Sequence, residues 1–274
     1  MNMIKKIARY IITASLFLIV ILPQSLMANN LSSQWIVDQY SKSRLFVGGY
    51  DRDSKTLHLG WQVSLKDGWK TYWRSPGEAG LPPRWAWDKA ENIRNITVKW
   101  PLPKLMRLFD MDTYVYYHEV ILPIDITVED ENTAVSLSLG LDYMICSEIC
   151  VPQHAKYNLT VSAPKDIKIS LFQQAQLDRY RDLVPLAMDA KDTKLTLGAE
   201  NTLLIRLPDS LAKIKNIIVE GPEAMLFGQA SPTNSGLFSV SYNGSETLTG
   251  KTLTLTIVPK EGQARELKAT VQAR

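Results

Sequence analysis

Two cysteines, Cys146 and Cys150, stand in Leu141-Asp-Tyr-Met-Ile-Cys-Ser-Glu-Ile-Cys-Val-Pro-Gln-His154 with three residues between them. In a straight strand such positions lie about 13 Å apart, at roughly 3.3 Å per residue. A disulfide needs Cα atoms within about 7 Å, so pairing requires a sharp turn between them. A bond closing so short a loop contributes about 2 kcal/mol on the chain-entropy account, against about 4.7 kcal/mol for a loop of about 100 residues. It is a poor staple. A strained, exposed loop disulfide is better suited to thiol–disulfide exchange, since strain and exposure raise its reduction potential. Two other readings remain open on chemistry alone. One is an inert local bridge. The other is a soft Cu(I) site built from Met144, Cys146, Cys150 and His154, because thioether, thiolate and imidazole suit that ion. The spacing fits no zinc pattern. His154 as an imidazolium would lower the pKa of a nearby thiol, and Asp142 and Glu148 are near enough in sequence to tune it.

The elements that must position this pair read as strands. Thr56–Val63 alternates, with Leu57, Leu59, Trp61 and Val63 on one face. His118–Val128 and Ala134–Tyr143 alternate as well, and Tyr157–Val161 repeats the pattern briefly. Pro152 suits a strand that restarts irregularly. Ser75–Pro83 carries too much Pro and Gly for a regular element. Trp61 reads as core, whereas Trp69 and Trp73 flank a proposed turn and could face a partner. All seven tryptophans and both cysteines precede residue 164. That shift, with the Ala163-Pro-Lys-Asp166 break, predicts domains at 29–163 and 164–274. The second opens with a helix near Ser170–Leu183, striped by Leu171, Ala175, Leu177 and Tyr180, and continues as strands. The expected fold is all-β: two immunoglobulin-like β-sandwich domains with a short linking helix.

Composition narrows the function classes. Lys5, Lys6 and Arg9 are the only charged residues before Asp38, and without them 28 basic face 28 acidic side chains. A neutral chain has no bulk electrostatic reason to seek nucleic acid. Residues 1–28 have the basic, apolar and small-residue layout of a secretory signal. The apolar run Ile11–Leu22 spans only roughly 18 Å as helix, short of the roughly 30 Å hydrocarbon core. The expected compartment is an oxidising one, the bacterial periplasm. No phosphate-binding Gly loop, His-Glu-x-x-His or Gly-x-Ser-x-Gly occurs, so nucleotide and hydrolase readings have no support. No cofactor is called for.

Four motifs follow one another in order: Gly60-Trp-Gln-Val, Lys66-Asp-Gly-Trp-Lys-Thr-Tyr-Trp-Arg-Ser-Pro-Gly-Glu-Ala-Gly-Leu-Pro-Pro83, Tyr117-His-Glu-Val-Ile-Leu-Pro123 and Asp142-Tyr-Met-Ile-Cys-Ser-Glu-Ile-Cys-Val-Pro152. Together they resemble the periplasmic N-terminal domain of DsbD-type thiol:disulfide interchange proteins, in the branch related to the suppressor-of-copper-sensitivity membrane reductases. The resemblance covers about residues 40–163. It implies an immunoglobulin-like domain in which Cys146 and Cys150 are the redox pair. It also places Tyr72 near the site, and a cap loop at about Leu105–Thr113 with Phe109 at its tip. The implied partners are a membrane-embedded electron donor and periplasmic thioredoxin-like or disulfide isomerase proteins. The chain shows neither a transmembrane bundle nor a thioredoxin-like Cys-x-x-Cys, so the electrons are expected from a separate protein. The best-known members space their cysteines more widely, while the copper-related branch shares the compact form. On this reading the chain is a protein-disulfide reductase component that turns over within a relay.

Overall fold

The computed structural model describes residues 31–108, 111–211, 213–223 and 225–273. The expected signal segment and Phe109 lie outside the described residues. The first eleven strands are β1 (Ile36–Val37), β2 (Ser41–Asp51), β3 (Thr56–Leu65), β4 (Lys70–Gly77), β5 (Arg84–Glu91), β6 (Ile93–Val98), β7 (Lys104–Leu108), β8 (Met111–Tyr117), β9 (Glu119–Val128), β10 (Val135–Cys146) and β11 (Cys150–Val161). One sheet has the order β1-β2-β3-β9-β6. The other runs β11-β10-β4-β8-β7, with β5 also paired to β10. These pairings are antiparallel, and the inward residues of both sheets build one core.

The alternation in β3 does what it predicts: Leu57, Leu59, Trp61 and Val63 are all fully buried. Burial obliges the indole N–H to find a partner. Trp61 Nε1 donates to Tyr157 Oη at 3.0 Å, and that hydroxyl lies 2.6 Å from Ser43 Oγ, which joins the two sheets through the core. Trp69 and Trp73 do not take the partner-facing role that was open to them. Both are buried, Trp69 stacked on Tyr40 at 4.0 Å between ring centroids and Trp73 edge-on to Tyr114. Ser75–Gly77 is also more regular than its composition suggests. β4 continues through it by a wide bulge, in which Tyr72 pairs with Val115 and Gly77 with Thr113.

Ser170 caps the helix α1 (Leu171–Arg181) by accepting a hydrogen bond from Phe172 N at 3.2 Å. Its buried face is narrower than the expected stripe: Leu177 and Tyr180 are buried, whereas Leu171 and Ala175 are exposed. That face lies against the first sheet. A Cβ on Gly48 would come within 2.5 Å of Leu177 Cδ2, so this approach needs glycine. Tyr180 Oη donates to Glu119 O at 3.1 Å, and Arg181 Nη1 reaches Asp125 Oδ1 at 3.0 Å.

Beyond the helix the chain forms a further sheet system around its own core of Leu195, Leu203, Ile205, Ile217, Leu255 and Val240. The strand Ile214–Glu220 shows how alternation serves two masters: Ile217 enters this second core while Ile218 belongs to the first. On the same strand Glu220 accepts two hydrogen bonds from Arg74 of β4, at 2.8 and 2.6 Å. Glu266, on the strand Arg265–Gln272, accepts a third. The fold is therefore all-β, with two sandwich-like halves and one short α-helix between them.

Candidate functional site

Strands β10 and β11 form a hairpin in unbroken register from Val135↔Val161 to Cys146↔Cys150, so the two cysteines are its last cross-strand pair. Ser147-Glu-Ile149 supplies the turn, closed by Ser147 N donating to Ile149 O at 2.9 Å. The Cα atoms of Cys146 and Cys150 are 4.1 Å apart and the sulfurs are bonded. The sharp turn required between them is thus the hairpin turn itself. β10 extends three residues past Tyr143, and β11 starts before Pro152 rather than after it. That proline is tolerated because β11 is a sheet edge, where a missing N–H leaves no ladder bond unmade.

The two sulfurs live in different surroundings. Cys146 is 1% exposed and packs with Tyr72 and Val115, flanked by Met106, Tyr117 and Met144. Cys150 is exposed. Strand β10 is flanked by β5 as far as Asp142, and then by β4 at Ile145↔Thr71 and Cys146↔Lys70. This switch brings the start of β4 beside the disulfide. Thr71 Oγ1 donates to Met144 O at 2.9 Å, and Lys70 Nζ donates to Ser147 O at 3.3 Å. Tyr72 Oη lies 3.9 Å from Cys150 Sγ. Burial, and secondarily Tyr117, pushes the Tyr72 phenol pKa up, so this hydroxyl keeps its proton. The loop after β4 lies directly on the Tyr72 ring, with Gly80 at φ +89° against it.

The structure gathers some of the expected residues and separates others. Cys146, Cys150 and Tyr72 converge. The stretch expected to form a cap is the hairpin β7–β8, paired up to Leu108↔Met111, and its Met106 reaches the Cys146 cluster. Its tip at Phe109 is outside the described residues. His154 is not beside the sulfurs. It is exposed, four residues along β11 from Cys150, or about 13 Å, and its Nδ1 is 2.7 Å from Asp142 Oδ1 of the facing strand. The four side chains of the Cu(I) alternative are therefore not assembled. Met144 and His154 instead line a shallow groove of about 220 Å³ with Leu81, Pro82 and Arg84, which neither cysteine lines. Among the described residues no cluster of three His, Cys, Asp or Glu side chains is placed to hold a metal.

Lys70, Met106 and Tyr117 are neighbours of the pair that sequence reasoning did not single out. Lys70 is 7% exposed although it is a lysine in a polar stretch. Its burial comes from being paired on both sides, to Cys146 of β10 and to Tyr117 of β8. No local pattern encodes those pairings.

The chemistry this arrangement permits is exchange at a half-protected disulfide: one sulfur reachable, the other enclosed by aromatic and thioether side chains. Among solved structures, the N-terminal periplasmic domain of ScsB from Proteus mirabilis aligns with a TM-score of 0.68 at 23% identity, covering 89% of this chain and 99% of that chain. That likeness establishes the fold across both halves. The N-terminal domain of Neisseria meningitidis DsbD, in its reduced form, aligns at 14% identity and a TM-score of 0.28, over 44% of this chain and 86% of that one. No curated protein matches the chain. Residues 38–162 match the family model for the N-terminal part of the thiol:disulfide interchange protein DsbD, and by that match this segment belongs to the DsbD N-terminal domain family.

Proposed function

We propose that the chain is a periplasmic relay protein that accepts reducing equivalents from a membrane-embedded donor at Cys146–Cys150. It passes them to thioredoxin-like or disulfide isomerase proteins. The observation that carries this reading is the asymmetry of the pair, Cys150 exposed and Cys146 enclosed, within a domain of a thiol:disulfide interchange family. Exposure favours Cys150 as the sulfur a partner reaches. A donor thiolate attacks Cys150 Sγ, and the electron pair of the broken S–S bond leaves on Cys146. The donor's second thiolate then resolves the mixed disulfide and frees the reduced pair. In the outward half-reaction the Cys150 thiolate attacks the acceptor's disulfide. Cys146 then attacks Cys150, which re-forms the intramolecular bond and releases the acceptor reduced by two electrons. Tyr72 and the β7–β8 hairpin shield the pair between encounters. The relay domain is assigned to residues 29–163, following a signal segment at 1–28. Residues 164–274 serve as a second β-sandwich that braces it. No described helix is long and apolar enough to cross a membrane.

The test is a single-cysteine trap. Cys146→Ala leaves Cys150 without its resolving partner and should accumulate a mixed disulfide with an oxidised thioredoxin-like acceptor, whereas Cys150→Ala should not. Trapping through neither cysteine would overturn the reading.

A further inference from the structure

When a partner opens the disulfide at Cys150, the sulfur that departs is Cys146, and it departs as a thiolate into a site that is 1% exposed. Burial alone raises the cost of that charge and makes Cys146 a poor leaving group. Lys70 is the cation built into this site. It is in cross-strand register with Cys146, is itself 7% exposed, and has its Nζ 3.3 Å from the carbonyl of Ser147, the residue that follows Cys146. We propose that Lys70 is a positioning residue for the exchange reaction, holding a positive charge against the Cys146 thiolate that forms when the disulfide is opened. This inference rests on the relay reading and deepens it.

Two further observations support it. Burial lowers the pKa of the Lys70 ammonium, and among the described residues no carboxylate offsets that cost while the disulfide is intact. The nearby acids, Asp67 and Glu148, are exposed, and Asp67 is turned to His118. The remaining neighbours, Tyr72 and Tyr117, have phenol pKa values raised by burial and contribute no charge near neutrality. Opening the disulfide therefore gives Lys70 the counter-charge it lacks. The reduced state is stabilised, and the pair becomes a better oxidant of its donor.

Three substitutions separate charge from packing and from turn capping. Lys70→Met removes the charge and the donor. Lys70→Gln keeps an N–H for the Ser147 carbonyl without the charge. Lys70→Arg keeps both. Equilibration of each variant with dithiothreitol or glutathione buffers should show the reduced state disfavoured about tenfold in Lys70→Met and Lys70→Gln, a fall of about 30 mV for a two-electron couple. Lys70→Arg should stay close to wild type, and reduction by a small thiol should slow in the two neutral variants. If Lys70→Met does not fold, Lys70→Gln against Lys70→Arg still decides the matter. A wild-type potential in Lys70→Gln would overturn the assignment and leave Lys70 as a cap on the hairpin turn. A wild-type pair that no thioredoxin-like protein engages refutes the relay instead, and leaves the potential difference between variants still readable.

Discussion

Replacing Gly80 by Ala perturbs the site through a single methyl group. The backbone there has φ +89°, a region that costs an L-residue about 1–2 kcal/mol. The added Cβ would stand 2.1 Å from Cε1 and 2.4 Å from Cδ1 and Cζ of Tyr72. Ordinary carbon contacts are about 3.5–4.0 Å, so the ring or the loop must yield by about 1.5 Å. Overpacking of that kind costs about 1–3 kcal/mol, giving with the backbone cost a total of about 2–5 kcal/mol. The Tyr72 hydroxyl is 3.9 Å from Cys150 Sγ, so the displacement is transmitted to the sulfur. Gly80→Ala should therefore lower stability by about 2–5 kcal/mol in urea unfolding. It should also change the rate at which dithiothreitol reduces the disulfide. A variant within about 0.5 kcal/mol of wild type, with an unchanged reduction rate, would refute the claim that this loop seats Tyr72 against the pair.

Other perturbations test the frame around the site. Arg74→Met should destabilise the chain by about 2 kcal/mol in urea unfolding, between the values for exposed and buried pairs, because it strips Glu220 and Glu266 of their shared partner. An unchanged unfolding midpoint would mean that the two halves are held together by other contacts. Asp125 is the acid that ties α1 to the first sheet. Burial raises its pKa, but the hydrogen bond from His58, with Arg181 and Lys99, outweighs this and holds it at about 2 against an ordinary 3.8. A depressed carboxylate contributes stability above its unfolded value and loses it as the pH falls through the folded one. Asp125→Asn should therefore cost about 1–2 kcal/mol near neutral pH. Its difference from wild type should close as the pH falls from about 4 to about 2. A gap that persists at the acid end would assign the loss to packing rather than charge.

Local patterns carry the parts of this molecule whose geometry is local. The two-residue alternation of Thr56–Val63 reports a strand with Trp61 on its buried face. The short cysteine spacing implies a sharp turn, and the apolar positions of Ser170–Leu183 imply a helix. What escapes is whatever depends on pairing between distant segments. Trp69 and Trp73 flank a turn, but their burial follows only once β4 is set between β10 and β8, and the same placement buries Lys70 beside Cys146. Arg74 meets Glu220 and Glu266 across separations of 146 and 192 residues, which no window along the chain spans. His154 errs in the opposite direction. It is close to the cysteines in sequence, but an extended strand carries it away from them and across to Asp142.

The central claim is that Cys146–Cys150 exchanges rather than staples, and its reduction potential tests this most directly. The mature protein equilibrated in glutathione or dithiothreitol buffers, with thiols trapped and counted, should give a value well above about −300 mV. A value below that, together with no reaction toward a reduced thioredoxin-like donor, would contradict the account and leave the pair as a local structural bridge.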